Sequence, residues 1–420
     1  MHISGMSGNE IFCLSQKGLS PGEIVIGNSV YSLGISGALS AFGRSVAGGE
    51  ITQITELISE GRHQAIARME QEAQRDGAIG VTGVESRLGR LAGFTEFLAQ
   101  GTGVHLSQGQ QGGSNFFSTA ASGIGLYCQL DAGYQPVRFS MGNVAYALGI
   151  GRGLIGSVRT LARGEVKEFS DMYNGIRHTA LQRLRAEAAG YGANAVVDVQ
   201  VRMLPYGPGT VELLLTGTAS HHAVLSQGQV GADQVVTSEL SGEELWNLAK
   251  IGYAPHQIVM ATSVYSLGVA AGLGALFKAI SRGELPEVTR LIYEARENCL
   301  ELVRRDAQAI GAERVMSTRL TIREIGSGLV ELVAIGTAVR RAAPAMAPAS
   351  PELIPQALIL DRSSSDREDS VRLLANPVAP MGVARHGVQQ GGSAVIGLII
   401  VLLMVISMCC AGGFTIFFGR

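Results

Sequence analysis

One short phrase occurs three times in this chain, and that repetition restricts the possible folds more than any other feature. SVYSLG stands at residues 29–34 and again at 263–268, and its near copy VAYALG stands at 144–149. When Tyr31 is placed on Tyr146 and Tyr265, glycines, prolines and acids also coincide over roughly a hundred residues, the size of one small domain. The chain is therefore predicted to use one module three times, at residues 7–104, 122–220 and 241–340.

Each copy shows the same order of secondary-structure signals. A serine such as Ser241 precedes a short run that ends at a glycine, and in this third copy early acids follow it, as is typical of an N-capped helix. A strand rich in Val, Ile and Tyr follows and ends at the repeated phrase. A small-residue helix, a long amphipathic helix such as residues 50–76, and two closing strands complete the copy. These signals predict an α/β (α+β) fold.

Four features carry a resemblance to a known family. They are the strand-end glycine, the small-residue helix closing on Gly-Gly or Arg-Gly, the long helix ending in A…GA, and the last strand ending in GTA. With them, all three copies resemble the YbjQ-like family, which bears a heavy-metal-binding label. The resemblance implies a dodecin-like β-α-β-β module with a small antiparallel sheet, and assembly into rings that are pentameric in other members. Neighbouring modules in a ring would cover the open edges of such a sheet.

Composition argues against several classes of function. A formal net charge of -2 and a charged fraction of 16% argue against a nucleic-acid partner, which needs clustered Lys and Arg. Five cysteines occur without a C-x-x-C pair, so neither a disulfide framework nor a thiolate zinc site of the usual spacing is expected. The first residues lack the basic and apolar regions of a signal peptide. We therefore expect the modules to stay in the reducing cytoplasm.

The last part of the chain has a different character. Residues 342–392 are rich in Ala, Pro and Ser, which predicts an extended tether, and an apolar stretch within it could dock a protein partner. Residues 393–419 carry no charge and are long enough to cross a bilayer as a helix. This pattern predicts a single-pass C-terminal transmembrane anchor in the lipid bilayer, with a buried core helix as the alternative.

Metal ligands are candidates at two helix positions that two of the copies share. One position holds His63 and His178, and the other holds Cys13 and Cys128. Isolated residues of these types on helices are more often surface or core residues. A ring could nevertheless gather several copies of one residue, so a metal site in the ring is an alternative. No other cofactor is expected.

Charges that recur in all three copies predict contacts between subunits. They are the mid-helix residues Arg62, Arg177 and Arg296, the last-strand residues Glu96, Glu212 and Glu331, and the turn residues Glu50, Glu165 and Glu284. An active site is expected to differ between copies, whereas a charge repeated in every copy suits a repeated contact. We therefore expect inter-subunit ion pairs and no enzymatic activity, with a solvated charged face as the alternative.

Together these patterns predict a membrane-tethered homo-oligomeric scaffold on the cytoplasmic side. The linkers between modules are long enough for each module of a chain to lie in a separate layer of stacked, pentameric rings. The alternative is a sensor or sequestering protein that holds a metal or a small ligand in the ring.

Overall fold

The three repeats fold as three copies of one sheet-plus-helix module, as the sequence predicts. The computed structural model describes residues 3–32, 49–91, 94–107, 115–147, 164–207, 210–225, 230–267, 284, 286–326 and 329–353. All of these residues belong to one structural unit, Met1–Ala375.

The elements follow the same order in each module, with two exceptions: a short strand is added before the second and third modules, and the described part of module three has no counterpart of the short strand that precedes the long helix in the other two. Module one contains α1 (Gly8–Ser15), β1 (Leu19–Ser32), β2 (Gly49–Glu50), α2 (Thr52–Arg75), β3 (Gly80–Leu91) and β4 (Phe94–Leu106). Module two contains β5 (Phe117–Ser118), α3 (Gly123–Asp131), β6 (Gln135–Ala147), β7 (Gly164–Glu165), α4 (Lys167–Gly190), β8 (Ala195–Gly207) and β9 (Thr210–His221). Module three contains β10 (Val236–Thr237), α5 (Gly242–Lys250), β11 (Tyr253–Ser266), α6 (Pro286–Ala309), β12 (Arg314–Gly326) and β13 (Leu329–Arg341).

The short helices begin at the serines that the sequence indicates. Ser7, Ser122 and Ser241 each accept a hydrogen bond from a backbone N–H in the first helical turn. In α1 and α5 the serine backbone N–H also donates to a glutamate side chain, which completes a capping box. These local bonds satisfy N–H groups that would otherwise have no partner within the helix.

Each module has a three-stranded antiparallel sheet whose last strand lies in the middle. In module one the order is β1-β4-β3, and the long helix α2 packs against β1 and β4. The helix buries residues spaced three or four apart, including Ile58, Ala65 and Met69, against Phe97 of the sheet. The module's own helix therefore buries one face of the sheet, and the opposite face can be buried only by residues from outside the module.

The modules of one chain lie side by side and exchange strands. Strand β2 of module one pairs with β6 of module two, and β7 of module two pairs with β11 of module three. In the opposite direction, β5 pairs in parallel with β3, and β10 pairs in parallel with β8. The layered arrangement expected from linker reach does not describe these residues, because each sheet is extended by strands of its neighbour in the same chain.

Several sequence predictions fall outside the described residues. These are the small-residue helices within residues 33–48, 148–163 and 268–283, most of the tether at 342–392, and the membrane helix at 393–419. In the part of the chain that the structure describes, no helix is both long and apolar enough to cross a membrane. The described start of the tether packs on module two, where the Ala349 N–H donates to the Asp131 carbonyl at 2.8 Å.

Candidate functional site

The boundary between modules one and two brings two of the repeated charges together. Arg62 lies on α2 of module one, and Glu212 lies on β9 of module two. The arginine donates two parallel bonds to the carboxylate, Nε to Oε1 at 3.0 Å and Nη2 to Oε2 at 2.6 Å. Both side chains are fully buried. This bidentate geometry gives direction as well as attraction, so it sets the orientation of one module against the next.

Neighbouring groups supply the other hydrogen bonds of this buried pair. The Ser86 hydroxyl accepts from Arg62 Nη1 at 2.9 Å, and the Asn143 amide donates to Glu212 Oε1 at 3.3 Å. The guanidinium also lies 5.9 Å from the centre of the Phe97 ring. A buried ion pair stabilises a contact only when its other donors and acceptors find partners, and this pair meets that condition.

The second boundary repeats the pair and adds a second arginine. Arg177 on α4 donates from Nη2 to Glu331 Oε1 at 2.6 Å, and Arg323 on β12 bonds the other carboxylate oxygen. Arg323 also donates to the Tyr146 hydroxyl at 3.2 Å. Burial by itself raises the pKa of Glu331, but the two guanidinium groups hold that pKa below its ordinary value. The carboxylate is therefore ionised at neutral pH.

The turn acids contribute to the same two boundaries. Glu50 accepts from Arg183 of module two at 2.7 Å, and Glu165 accepts from Asn298 of module three at 3.1 Å. The third turn acid, Glu284, is exposed. These contacts are less buried than the arginine–glutamate pairs, so we expect them to contribute less.

The structure does not bring the third arginine and the third glutamate together. Arg296 is exposed on α6 of module three, and Glu96 is half-buried on β4 of module one. They lie at opposite ends of the row of modules. Within one chain the repeated charges thus form contacts between modules, and their predicted role between chains is still a prediction.

Sequence comparison of the copies missed several residues of these boundaries. Arg323, Tyr146, Ser86 and Asn143 all contact a buried pair, but Arg323 has Gly89 as its counterpart in module one. A search for charges present in every copy cannot find them. Tyr146 does recur in all three copies, but as a tyrosine it is not among the repeated charges. Arg323 is visible only as an arginine in the middle of an otherwise half-apolar strand.

The two candidate cysteine ligands lie in the same buried cluster. Cys13 on α1 and Cys128 on α3 belong to one buried cluster of the small helices. Burial raises the pKa of both thiols, and Glu243 raises each pKa further. Metal ions bind the thiolate, which this environment disfavours. The described residues also contain no group of three His, Cys, Asp or Glu side chains arranged to hold a metal.

The candidate histidines occupy different surroundings. His63 is half-buried at the first boundary, where its Nε2 lies 3.3 Å from Glu187 Oε1 of module two, and its Nδ1 lies 2.7 Å from the Ser59 carbonyl. The bond with Glu187 raises the pKa of His63 above its ordinary value, although burial acts in the opposite direction. His178, at the same helix position of module two, is exposed.

His63 is expected to make the stability of the chain depend on pH. Because its folded pKa is raised, its contribution is fully present below the unfolded value of about 6.5 and is lost as pH rises through the folded value. We expect His63→Gln to lower the urea unfolding midpoint relative to the unaltered protein at pH 5.5, with the difference disappearing by about pH 8.5. His178→Gln is the matched control, because His178 is exposed and its substitution is expected to change the unfolding midpoint little. A His63→Gln difference that is constant over this range would contradict the assignment.

A cleft of about 320 Å³ lies beside the first boundary. It is lined by residues of both modules, among them Glu10, Glu85, Gln100, Gln200 and Arg202. These polar and charged groups of mixed sign share the lining with apolar side chains such as Ile24 and Val84. Such a lining can hydrogen-bond a small polar molecule, but it does not select one class of ligand.

Comparisons with known proteins agree with the repeat. The model of a family described as "Putative heavy-metal-binding" matches residues 19–107, 134–223 and 235–342. An encapsulin nanocompartment protein of Mycobacterium tuberculosis is 31% identical over 226 residues, which cover 51% of this chain and 84% of that protein. A UPF0145 protein of Methanococcus maripaludis is 40% identical over 89 residues, or 21% of this chain and 80% of that protein. A UPF0145 protein of Thermoplasma acidophilum is 39% identical over 71 residues, or 17% of this chain and 60% of that protein.

Proposed function

The chain belongs to the YbjQ-like family, and from this membership and the contacts between its modules we propose that it is a homo-oligomeric scaffold that acts by assembling its modules. One observation carries the proposal: a buried arginine–glutamate ion pair joins consecutive modules at both boundaries of the chain. A module that repeatedly buries the same charged contact is built to bind another copy of itself. The proposal includes no catalytic step.

The named relative supports assembly as the role. The Mycobacterium tuberculosis protein is named for an encapsulin nanocompartment, and the match covers 84% of its length. This similarity supports self-assembly of the present chain. The surfaces through which the chain would assemble follow from its own residues.

A ring built from this chain would contain a number of modules divisible by three. Consecutive modules share strands, so a chain enters an assembly as a row of three modules and not as one module per layer. Five modules cannot be made from whole rows of three. The proposed assembly therefore consists of rings, or filaments, of three-module rows. It replaces the stacked pentamers, whose fivefold count was expected from the family and whose layers were expected from linker reach.

The membrane tether is part of the proposal. It is supported by the uncharged, apolar sequence of residues 393–419. The protein should sediment with membranes and resist carbonate extraction. Recovery of the full-length protein in the soluble fraction without detergent would exclude the tether and leave the scaffold proposal intact.

Assembly itself is tested by the size of the purified protein. We expect the full-length protein in a mild detergent to form a discrete homo-oligomer of constant stoichiometry by light scattering and analytical ultracentrifugation. The physical reason is that an edge strand and an apolar sheet face stay uncovered in a single chain. A monodisperse monomer at micromolar concentration would contradict the scaffold proposal.

A ligand-binding role is the second candidate, and the polar cleft beside the first boundary is the observation that favours it. The two cysteines do not support the metal form of this role. Elemental analysis of the purified protein separates the candidates, because a stoichiometric metal would favour the sensor or sequestering role over a scaffold alone.

A further inference from the structure

One face of the module-one sheet is apolar and exposed. Ile24, Ile26 and Val30 on β1 are 41%, 53% and 53% exposed. Their counterparts in the repeat are Phe139, Met141 and Ala145 in module two and Ile258, Met260 and Val264 in module three, and none of these six is more than 4% exposed. The counterparts are buried because they belong to the core of the preceding module. Among the three modules of residues 1–420, none precedes module one.

The long helix of module three has the complementary uncovered face. Tyr293 on α6 is 62% exposed, and Thr289 and Arg296 on the same helix are exposed. Their counterparts at the first two boundaries pack on the sheet of the following module. For example, Asn174, the counterpart of Tyr293, exchanges hydrogen bonds with the backbone of Thr262 at 3.0 and 2.8 Å. Among the three modules of residues 1–420, none follows module three.

At both boundaries within the chain, a hydroxyl group on the long helix of one module bonds the first long strand of the next module. The Ala145 N–H donates to the Thr55 hydroxyl at 2.9 Å, and the Val264 N–H donates to the Ser170 hydroxyl at 2.9 Å. Val30 on β1 is the counterpart of the donors Ala145 and Val264. Thr289 on α6 is the counterpart of the acceptors Thr55 and Ser170. Val30 and Thr289 lie at opposite ends of the chain, so this bond can be made a third time only between two chains.

The charges at the two ends are also complementary. Arg296 is the counterpart of Arg62 and Arg177, and Glu96 is the counterpart of Glu212 and Glu331. Neither Arg296 nor Glu96 forms an ion pair with another residue that the structure describes. An exposed arginine and a half-buried glutamate are thus available at the positions where the other two copies form a buried pair.

The short helices leave a matching gap at the same end. A side chain at Gly123 of α3 would meet Glu10 of α1 at 2.8 Å, and one at Gly242 of α5 would meet the Gly125 carbonyl of α3 at 2.4 Å. Their counterpart Gly8 on α1 has nothing within 4 Å. The helix row that joins the modules therefore has room for one more helix before α1.

We infer that a second copy of this chain packs head to tail on the first, with α6 of one chain covering the β1–β4 face of the other and repeating the module boundary a third time. In this contact Arg296 donates to Glu96 of the partner subunit, and the Thr289 hydroxyl accepts from the N–H of the partner's Val30. The contact is heterologous, because two different surfaces meet, so it closes rings or extends filaments. It rests on the proposed scaffold function and names the surface through which that scaffold forms.

Charge reversal tests this contact. We expect Glu96→Arg alone, and Arg296→Glu alone, to raise the dissociation constant of the oligomer by about tenfold or more, because like charges then meet at the closing contact. The double variant Glu96→Arg/Arg296→Glu should assemble again, because position 296 of one chain and position 96 of the next then carry opposite charges at every contact. Arg290→Glu is the matched control on the same helix, because Arg290 pairs with Glu294 on the exposed side and its reversal should leave assembly unchanged.

The measurements are sedimentation velocity of the full-length variants in a mild detergent and their unfolding midpoints in urea. Unaltered midpoints show that the variants are folded, as expected for side chains that form no ion pair with another residue that the structure describes. The inference is overturned if either single reversal still assembles like the unaltered protein, or if the double variant does not assemble. In those cases an oligomeric unaltered protein would leave the scaffold proposal standing. A monomeric unaltered protein would overturn both.

Discussion

Glu331→Gln is expected to lower the free energy of unfolding by about 3–5 kcal/mol, the range for removing one partner from a buried ion pair. Glu331 is fully buried and bonds both Arg177 and Arg323. A neutral amide in its place would leave two buried guanidinium groups without a counter-charge. The effect is expected across neutral pH, because the lowered pKa of Glu331 means that its stabilisation is lost only as pH falls through that folded value.

The measurement is the urea unfolding midpoint of the full-length protein, followed by circular dichroism. Glu301→Gln in the same module is the control, since Glu301 pairs with Arg304 on the exposed side of α6 and its removal should cost less than about 0.5 kcal/mol. If the two variants unfold at the same urea concentration, the buried pair does not hold modules two and three together as described.

Gly142→Ala is expected to destabilise the chain by about 1–3 kcal/mol or more, because it forces apart a helix and a strand in contact through their backbones. A methyl group at Gly142 on β6 would lie 2.2 Å from the Ala180 carbonyl oxygen and 2.5 Å from the Leu184 backbone nitrogen of α4. Backbone atoms cannot rotate away as a flexible side chain can. The helix would have to move off the sheet and open the core between them.

Gly175→Ala on α4 is the matched control for this variant. Gly175 has open space within 4 Å of an added methyl group. The same substitution there should raise stability by about 1 kcal/mol, because alanine favours a helix interior over glycine by that amount. The measurement is the thermal unfolding of Gly142→Ala and Gly175→Ala, each compared with the unaltered protein. Equal and small effects would mean that β6 and α4 are not in backbone contact.

The requirement for glycine at this strand position holds in modules one and two but not in module three. Gly27 in module one is as closely covered as Gly142, with the Ala65 carbonyl oxygen at 2.1 Å from an added methyl group. Module three has Ala261 there, and that alanine is buried. The third helix therefore accommodates one methyl group against its strand. The three modules share a fold without sharing identical packing.

Local signals in the sequence were sufficient for the parts of the fold that depend on neighbouring residues. The serine caps at Ser7 and Ser241 act over three residues, and the apolar spacing of the long helices acts over one helical face. Because the module is repeated, the sequence shows the signals of each element three times. An error in one copy could therefore be corrected from the other two.

Contacts between modules could not be predicted in the same way. Alignment of the copies places Arg62 on Arg177 and Glu212 on Glu331, but it does not say whether an arginine meets the glutamate of its own chain or of another. The linkers are long enough for either arrangement.

The sequence by itself determined the number of modules, the order of their elements and the repeated charges. Only the tertiary structure decided that consecutive modules exchange the strands β2, β5, β7 and β10, and that Arg62 meets Glu212 within one chain. The physical reason is distance along the chain. Caps, turns and helix faces depend on residues a few positions apart, whereas a buried ion pair between modules depends on how whole sheets and helices pack.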